Sequence, residues 1–525
     1  MAAPSTVGAP SRNESSLLFS GMAIVWAIAI AKFILHLYFN NRYGYFRDEF
    51  DYMSCGDHLQ WGYVDQPPLI PFLTHLSRAL LGDSLRAIRF LPALASSLVV
   101  VQAAATARQL GGRRYALILT ALCVALAPQY LSNGGLLGTN ALEPNLWLGC
   151  AQFVILAIKR SDPRYWIGFG IVAGLGMEEK YTIAVFGLGV VIGLLLTEQR
   201  RTLLSPWFWL AGFAAFLIFL PNLLWNLHYD WPFLQLIRAI RAEGRDVVWG
   251  PFGFLFQQLT EVGLVAGPVW LAGLLALLLW RPLRPYRLLG WSYIVSYLVI
   301  YLQHGKNYYL APVYPMLFAA GAVALDSWLG EAPSRLEWLR HTIAWSILVN
   351  GIYLLPITVP LLSPARFLAY TKTLPVKLPV NEHSHARAAL PQWYADQFGW
   401  KEISDETALA WNRIPAAERP DCGIFAQDYG QAGAIDFFGR REGLHGAMSG
   451  DRTYWIWGPR GYSGNCMIVL DDRKEVLERY WNDVEYVGTS APNQWALEQQ
   501  IPVFVCKGKK FDSWSSVWPH LKRWR

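Results

Sequence analysis

The sequence predicts an all-α, multi-pass membrane protein of about eleven transmembrane helices with a soluble α/β domain at its C-terminal end. Three observations predict it. Hydrophobic residues make up 54% of the 525 and charged residues only 16%, whereas a soluble domain holds about 25% charged residues. Apolar segments recur at or near spanning length, and the loops between them alternate in charge. From about Ser363 onward the composition becomes that of a soluble protein. The 25 Trp and 25 Tyr fit the same class, because an apolar ring with a polar edge settles at membrane–water interfaces. The formal charge of +7 lies in short loops between apolar runs, a distribution that sets topology and argues against a nucleic-acid groove.

Residues 1–16, rich in Ser and Pro, predict a disordered cytoplasmic leader. The first apolar run, Leu17–Phe39, exceeds the roughly 7–15 residues of a signal-peptide core and lacks a small-residue cleavage site after it. It reads as an uncleaved first span. Further spans follow at Phe90–Ala107, Tyr115–Tyr130, Glu143–Ile158, Tyr165–Met177 and Tyr181–Leu196. The series continues with Trp207–Trp225, Phe256–Trp280, Leu288–Gln303, Tyr308–Leu325 and Thr342–Leu362. Several are shorter than the roughly 17–25 residues of a lone spanning helix.

With the N-terminus inside, every cytoplasmic loop is basic. These loops hold Arg108, Arg113 and Arg114; Lys159, Arg160 and Arg164; Arg200 and Arg201; Arg281, Arg284 and Arg287; Arg335 and Arg340. The outer loops, chiefly 40–89 and 226–255, carry most of the acid. That is the positive-inside bias. Leu69–Leu81 is apolar but contains His75 and Arg78 and follows Pro67 and Pro68. It reads as a helix lying in the interface, since a further span would invert every later loop. Residues 17–362 then form the membrane domain, and 363–525 form an extracytoplasmic domain on the periplasmic side of the inner membrane.

In this last region strand-like runs Cys422–Ala426, Tyr454–Trp457, Cys466–Leu470 and Val503–Cys506 alternate with helix-like stretches Gln431–Phe438 and Lys474–Trp481. The alternation predicts a small α/β domain. Its three cysteines, Cys422, Cys466 and Cys506, allow one disulfide and one free thiol, with the pair open. No internal repeat and no low-complexity tract is visible.

The first outer loop carries the chemistry. Tyr45-Phe46-Arg47-Asp48-Glu49-Phe50-Asp51-Tyr52 is followed by Asp57-His58 and Asp65-Gln66-Pro67-Pro68. A solvated acidic loop would satisfy the topology rule alone. The interleaved aromatics favour burial instead, and a partly buried carboxylate with a raised pKa accepts protons near neutral pH.

Asp48-Glu49 together with Asp65-Gln66-Pro67-Pro68-Leu69 resembles the first-loop signature of bacterial relatives of the protein O-mannosyltransferases. These are glycosyltransferase family 39 and its aminoarabinose-transferase cousins, all of the GT-C fold. Gly305-Lys306-Asn307-Tyr308-Tyr309-Leu310-Ala311-Pro312-Val313-Tyr314-Pro315 resembles their G-K-x-Y-Y-L-x-P-x-Y-P segment. His228-Tyr229-Asp230-Trp231-Pro232 resembles an outer-loop H-x-x-W motif, and Asn140-Ala141-Leu142-Glu143 sits where relatives carry an acid. Tyr429-Gly430-Gln431-Ala432-Gly433 and Tyr454-Trp455-Ile456-Trp457-Gly458 are also similar to a bacterial subgroup.

The resemblance implies inverting transfer of a sugar from a polyprenyl-phosphate carrier to an acceptor hydroxyl on the outer face. Asp48 is the expected base and Glu49 its catalytic neighbour and loop organiser. Asp65, Glu143, His228, Lys306, Tyr308 and Tyr309 are expected to bind donor or acceptor. Some relatives place a Lys after the second loop acid to hold phosphate; here Gln66 stands there, which leaves Lys306 as the replacement. Metal dependence stays open, with Asp65 and His228 the candidates for a divalent cation. The acceptor, whether protein, lipid or glycan, is not readable, nor is the sugar.

Several residues have plainer readings. Glu143 serves equally as a cap on its own helix, Lys306 as a snorkelling lysine, and Glu178-Glu179-Lys180 as a tight charged turn. Arg238, Arg241 and Arg245 suit either a cradle for a lipid phosphate or, the plainer reading, an amphipathic helix on anionic headgroups. The rival function is a transporter or flippase of lipid-linked sugars. Transporters place ionisable groups at mid-membrane depth or show paired repeats, and neither is visible here. A sensor domain on a membrane anchor ranks last, since one helix would anchor it.

Overall fold

The computed structural model describes residues 12–244, 249–331, 333–375, 378 and 388–524. Residues 1–11 of the expected leader, and Arg245 and Asp246 of the second outer loop, lie outside these. The expected spans appear as helices. The first runs Arg12–Phe39; later ones include Phe90–Gln109, Glu143–Lys159, Tyr165–Met177, Ile183–Leu195, Pro206–His228 and Arg287–Leu302. Leu69–Leu81, expected in the interface, is a helix as well.

Among the described residues, five helices are long and apolar enough to cross a membrane, or seven when each of two bent pairs counts as one span. The eleven apolar segments therefore do not all correspond to long, straight spans. Tyr165–Met177 and Ile183–Leu195 have 13 residues each, short of the roughly 30 Å of hydrocarbon at 1.5 Å per residue.

Two continuous readings are broken by identifiable residues. Phe256–Trp280 divides into Pro251–Glu261 and Leu264–Leu279, bent by 98°. Gly263 between them has φ +94, a conformation only glycine adopts freely, and Pro268 opens the second helix. Tyr115–Tyr130 breaks at Ala127, where Pro128 starts a short helix to Asn133. The bundle is held by close crossings as well as by large side chains. A Cβ on Gly273 would meet the Leu317 carbonyl, and one on Gly321 the Val269 carbonyl. Helices Gly267–Leu279 and Tyr314–Glu331 thus meet backbone to backbone, as small residues permit in membranes.

The C-terminal region folds on a five-stranded sheet of β1 (Cys422–Ala426), β2 (Met448–Ser449), β3 (Cys466–Leu470), β4 (Trp481–Thr489) and β5 (Pro502–Lys509), in the order β2-β1-β3-β5-β4. β2, β1 and β3 are parallel; β5 is antiparallel to β3 and β4. Cys422 and Cys466 are register partners on β1 and β3 and form the disulfide. Cys506 stays a buried thiol.

Two expectations are corrected here. Tyr454–Trp457 belongs to a helix, Arg452–Trp457, that ends at Gly458 with φ +74. A four-residue apolar run carries no period that separates helix from strand. Trp481 opens β4 instead of closing a helix, which spans only Lys474–Leu477.

The C-terminal region rests on the first outer loop. Helix Tyr429–Phe438 lies across helix Arg47–Asp57, and the crossing needs glycine. A Cβ on Gly433 would stand 2.7 Å from Phe50 Cβ, and one on Gly430 2.5 Å from Arg47 Cγ. Phe50, Trp400, Ile435 and Leu444 join one buried cluster that spans the contact.

Candidate active site

The helix Arg47–Asp57 is fixed by Glu49. Its carboxylate accepts from the Phe46 N–H at 2.8 Å, closing the helix N-terminus. It also accepts from Arg89 Nε and Nη2, both at 2.8 Å, and from the Leu137 N–H at 3.0 Å. Arg89 in turn donates to the Asn40 and Gly44 carbonyls. Glu49 is fully buried, and these four bonds occupy both carboxylate oxygens. Grouped with Asp48 by sequence, it is placed as an anchor of the loop rather than as a group facing a substrate.

Asp48, one residue earlier, faces the C-terminal region. It accepts the Tyr429 hydroxyl at 2.5 Å. Asp65 accepts Arg452 Nη1 at 2.5 Å, and the Arg452 guanidinium lies 3.9 Å above the Tyr429 ring. Asp48, Tyr429, Arg452 and Asp65 thus form one connected group, closed by two residues from beyond position 400. Asp51 lies behind it, 1% exposed. Burial, with Asp65 nearby, holds its carboxyl well above the usual carboxylate range. Burial raises Asp65 too, partly offset by Arg452. Gln66 points inward and donates to Asp51 at 3.2 Å.

A second group forms around Lys180. Glu143 is 3% exposed, pairs with Lys180 at 3.2 Å and accepts the Thr182 hydroxyl. Lys180 also donates to Asn140 at 2.5 Å. It sits 4.6 Å from the Tyr309 ring centroid and 5.6 Å from that of Tyr308. Lys306 approaches the Tyr308 ring at 5.6 Å. Lys180, read from sequence as part of a plain turn, therefore joins three of the expected site residues. Glu179 is buried, and its carboxylate accepts from the Leu142 N–H at 2.8 Å. Glu143 itself lies in the first turn of its helix, where the macrodipole favours an acid. The Glu178 carbonyl receives the Leu69 N–H at 2.8 Å, tying this turn to the first outer loop.

His228 does not join either group: it is exposed and stacks edge-on against Tyr229. The two residues after Tyr229, Asp230 and Trp231, both have positive φ, which folds the motif back so that the Trp231 N–H meets the Asn226 carbonyl. Among the described residues no three His, Cys, Asp or Glu side chains converge as a metal-ligand set. Asp65, the loop acid expected to hold a cation, is already paired with Arg452. Sequence reading also missed Tyr429 and Arg452 as site residues; the only signal was the resemblance of the Tyr429-Gly430 and Tyr454-Trp455 segments.

The fold is shared with solved structures. ArnT from Cupriavidus metallidurans, solved bound to undecaprenyl phosphate, superposes with a TM-score of 0.56 at 14% identity. The match covers 94% of this chain and 98% of that one. The oligosaccharyltransferase of Archaeoglobus fulgidus, solved tethered to an acceptor peptide, gives 0.53 at 13% identity over 81% of this chain and 63% of its own. No curated protein sequence matches the chain. Residues 65–225 match the family model described as dolichyl-phosphate-mannose-protein mannosyltransferase, and the chain shares its fold with these two solved membrane enzymes.

Proposed function

We propose that the protein is an inverting glycosyltransferase that moves a sugar from a polyprenyl-phosphate donor to an acceptor hydroxyl on the outer face of the membrane. The observation that carries this is Asp48 accepting an O–H at 2.5 Å in a loop whose continuation, through the Leu69 N–H and the Glu178 carbonyl, is tied to the turn that holds Lys180. The Tyr429 hydroxyl stands where a general base receives a proton, and the acceptor hydroxyl is its counterpart in the reaction.

The chemistry asks little else. Phosphate is a good leaving group and needs no general acid. It needs fixed positive charge where negative charge grows as the glycosidic bond breaks. Asp48 takes the acceptor proton, the acceptor oxygen attacks the anomeric carbon, and polyprenyl phosphate departs as the glycosidic bond breaks. Glu143 holds Lys180 in place.

The topology that goes with this reading has the N-terminus in the cytoplasm, eleven crossings of the inner membrane counting the short and bent helices, and residues 363–525 outside. The basic loops support it. The test is incubation of the purified protein with radiolabelled polyprenyl-phosphate sugars while free polyprenyl phosphate is followed. Release of the lipid phosphate with one sugar of the panel is expected. Donor that is bound and carried across a vesicle membrane unbroken would favour transport instead.

A further inference from the structure

A donor of this class must leave its phosphate against fixed positive charge, and the first outer loop has none to offer at its second acid. Gln66 follows Asp65, is 1% exposed and turns toward Asp51. The charge comes from elsewhere. Resting on the glycosyltransferase reading above, we propose that Arg452 holds the phosphate of the lipid donor beside Asp65, so that the transfer site is complete only when the C-terminal region is docked.

Four observations carry the assignment. Arg452 reaches Asp65 across 387 positions of sequence, at 2.5 Å. Its Nε and the Asp65 Oδ1 are both buried and lack a hydrogen-bond partner. One is a donor and the other an acceptor, and a sugar phosphate supplies both complements: a phosphate oxygen for the guanidinium and a sugar hydroxyl for the carboxylate. Buried polar atoms are paired in nearly all proteins, so two orphans on one ion pair mark the place of a missing partner.

Third, Arg452 has φ +43, an uncommon conformation outside glycine that persists where the surroundings enforce it. They do so here. The Thr453 hydroxyl oxygen accepts the Val64 N–H at 3.1 Å, and the Gly450 carbonyl receives the Arg523 N–H at 2.8 Å. The loop is thus pinned to the membrane domain on one side and to the chain end on the other. Fourth, Tyr429 stacks under the guanidinium and donates to Asp48, so the phosphate subsite and the base are coupled through one ring.

An ordinary docking ion pair looks different, and the same contact supplies one. Arg440 bonds Asp57 at 2.5 Å with side chains 58% and 25% exposed, whereas Arg452 and Asp65 are 18% and 16% exposed. Arg440 is therefore the control.

The experiment measures binding of undecaprenyl phosphate and of undecaprenol, in detergent, to the full chain and its variants. R452A is expected to weaken the phosphate lipid by about tenfold or more and to leave undecaprenol unchanged, with a lowered unfolding midpoint from loss of the Asp65 partner. R440A is expected to match the wild type on both lipids. If R452A does not fold, R452Q, neutral and of similar reach, carries the same test. Unchanged phosphate binding, or equal loss on both lipids, would overturn the assignment. Failure of the wild type to distinguish the two lipids would instead remove the glycosyltransferase reading on which it rests.

Discussion

Glu49 is the residue on which sequence resemblance and geometry differ most, and the difference is measurable. Glu49→Gln removes one carboxylate oxygen that faces Arg89 and a backbone N–H, and it puts an NH2 among donors. Arg89, 1% exposed, then keeps its charge in the interior without a counter-ion. Breaking a buried pair from one side costs about 3–5 kcal/mol, a large share of the roughly 5–15 kcal/mol that holds a domain folded. Arg89→Met costs a similar amount, because it leaves the carboxylate unpaired and frees the Asn40 and Gly44 carbonyls.

The double variant removes both charges together. It is expected to fall short of the summed losses by about 1–3 kcal/mol, as contacting residues do. Thermal unfolding in detergent reads all three. Donor turnover per folded molecule separates anchoring from chemistry: an anchor variant loses midpoint far more than turnover. A Glu49→Gln protein with the wild-type midpoint and no turnover would refute the anchoring assignment and return Glu49 to the reaction.

Three further outcomes follow from the same geometry. Asp51 has its carboxyl raised from 3.8 by burial, so its contribution to stability is full below that value and is lost as pH rises toward the folded-state pKa, at up to about 1.4 kcal/mol per pH unit. Asp51→Asn is therefore expected to raise the unfolding midpoint at neutral and alkaline pH but not near pH 3; a pH-independent change would contradict this. Gly433→Ala places a methyl 2.7 Å from Phe50 Cβ, and overpacking of this kind costs about 1–3 kcal/mol. Limited proteolysis should cut residues 400–524 faster in that variant, while wild-type cleavage rates would show that the helices separate freely. Lys180→Met removes the cation shared by Glu143, Asn140 and Tyr309; it should raise the donor KM by about tenfold or more, and an unchanged KM would exclude Lys180 from donor binding.

Much of the helical layout was legible because membrane helices declare themselves by local composition. Tyr165–Met177 needed only its apolar run between Arg164 and Glu178. Where the run concealed a bend, as at Gly263, the breaking residue was present, but its φ depends on packing that no window of sequence contains. Tyr454–Trp457 failed for another reason: four apolar residues suit a strand or a helix turn equally, and the contacts Tyr454 makes in the helix, to Ser54 and Asp436, are tertiary.

The candidate site divides the same way. Asp48 and Asp65 were visible because they lie in one short acidic loop. Lys180 was hidden because its neighbours made the segment resemble a solvated turn, and burial of Glu179 against Leu142 is a tertiary fact. Tyr429 and Arg452 were beyond reach in role. They meet Asp48 and Asp65 across 381 and 387 positions, and no spacing rule joins residues so far apart.

The account stands most directly on Asp48 as the proton acceptor in sugar transfer. Single-turnover release of polyprenyl phosphate from a bound sugar donor, compared between wild type and Asp48→Asn, tests it. Asp48→Asn is expected to fold and to bind donor as the wild type does. Loss of a general base lowers rates by about 10²–10⁴-fold, and release should fall by that much. Release at the wild-type rate from folded Asp48→Asn protein would contradict the account.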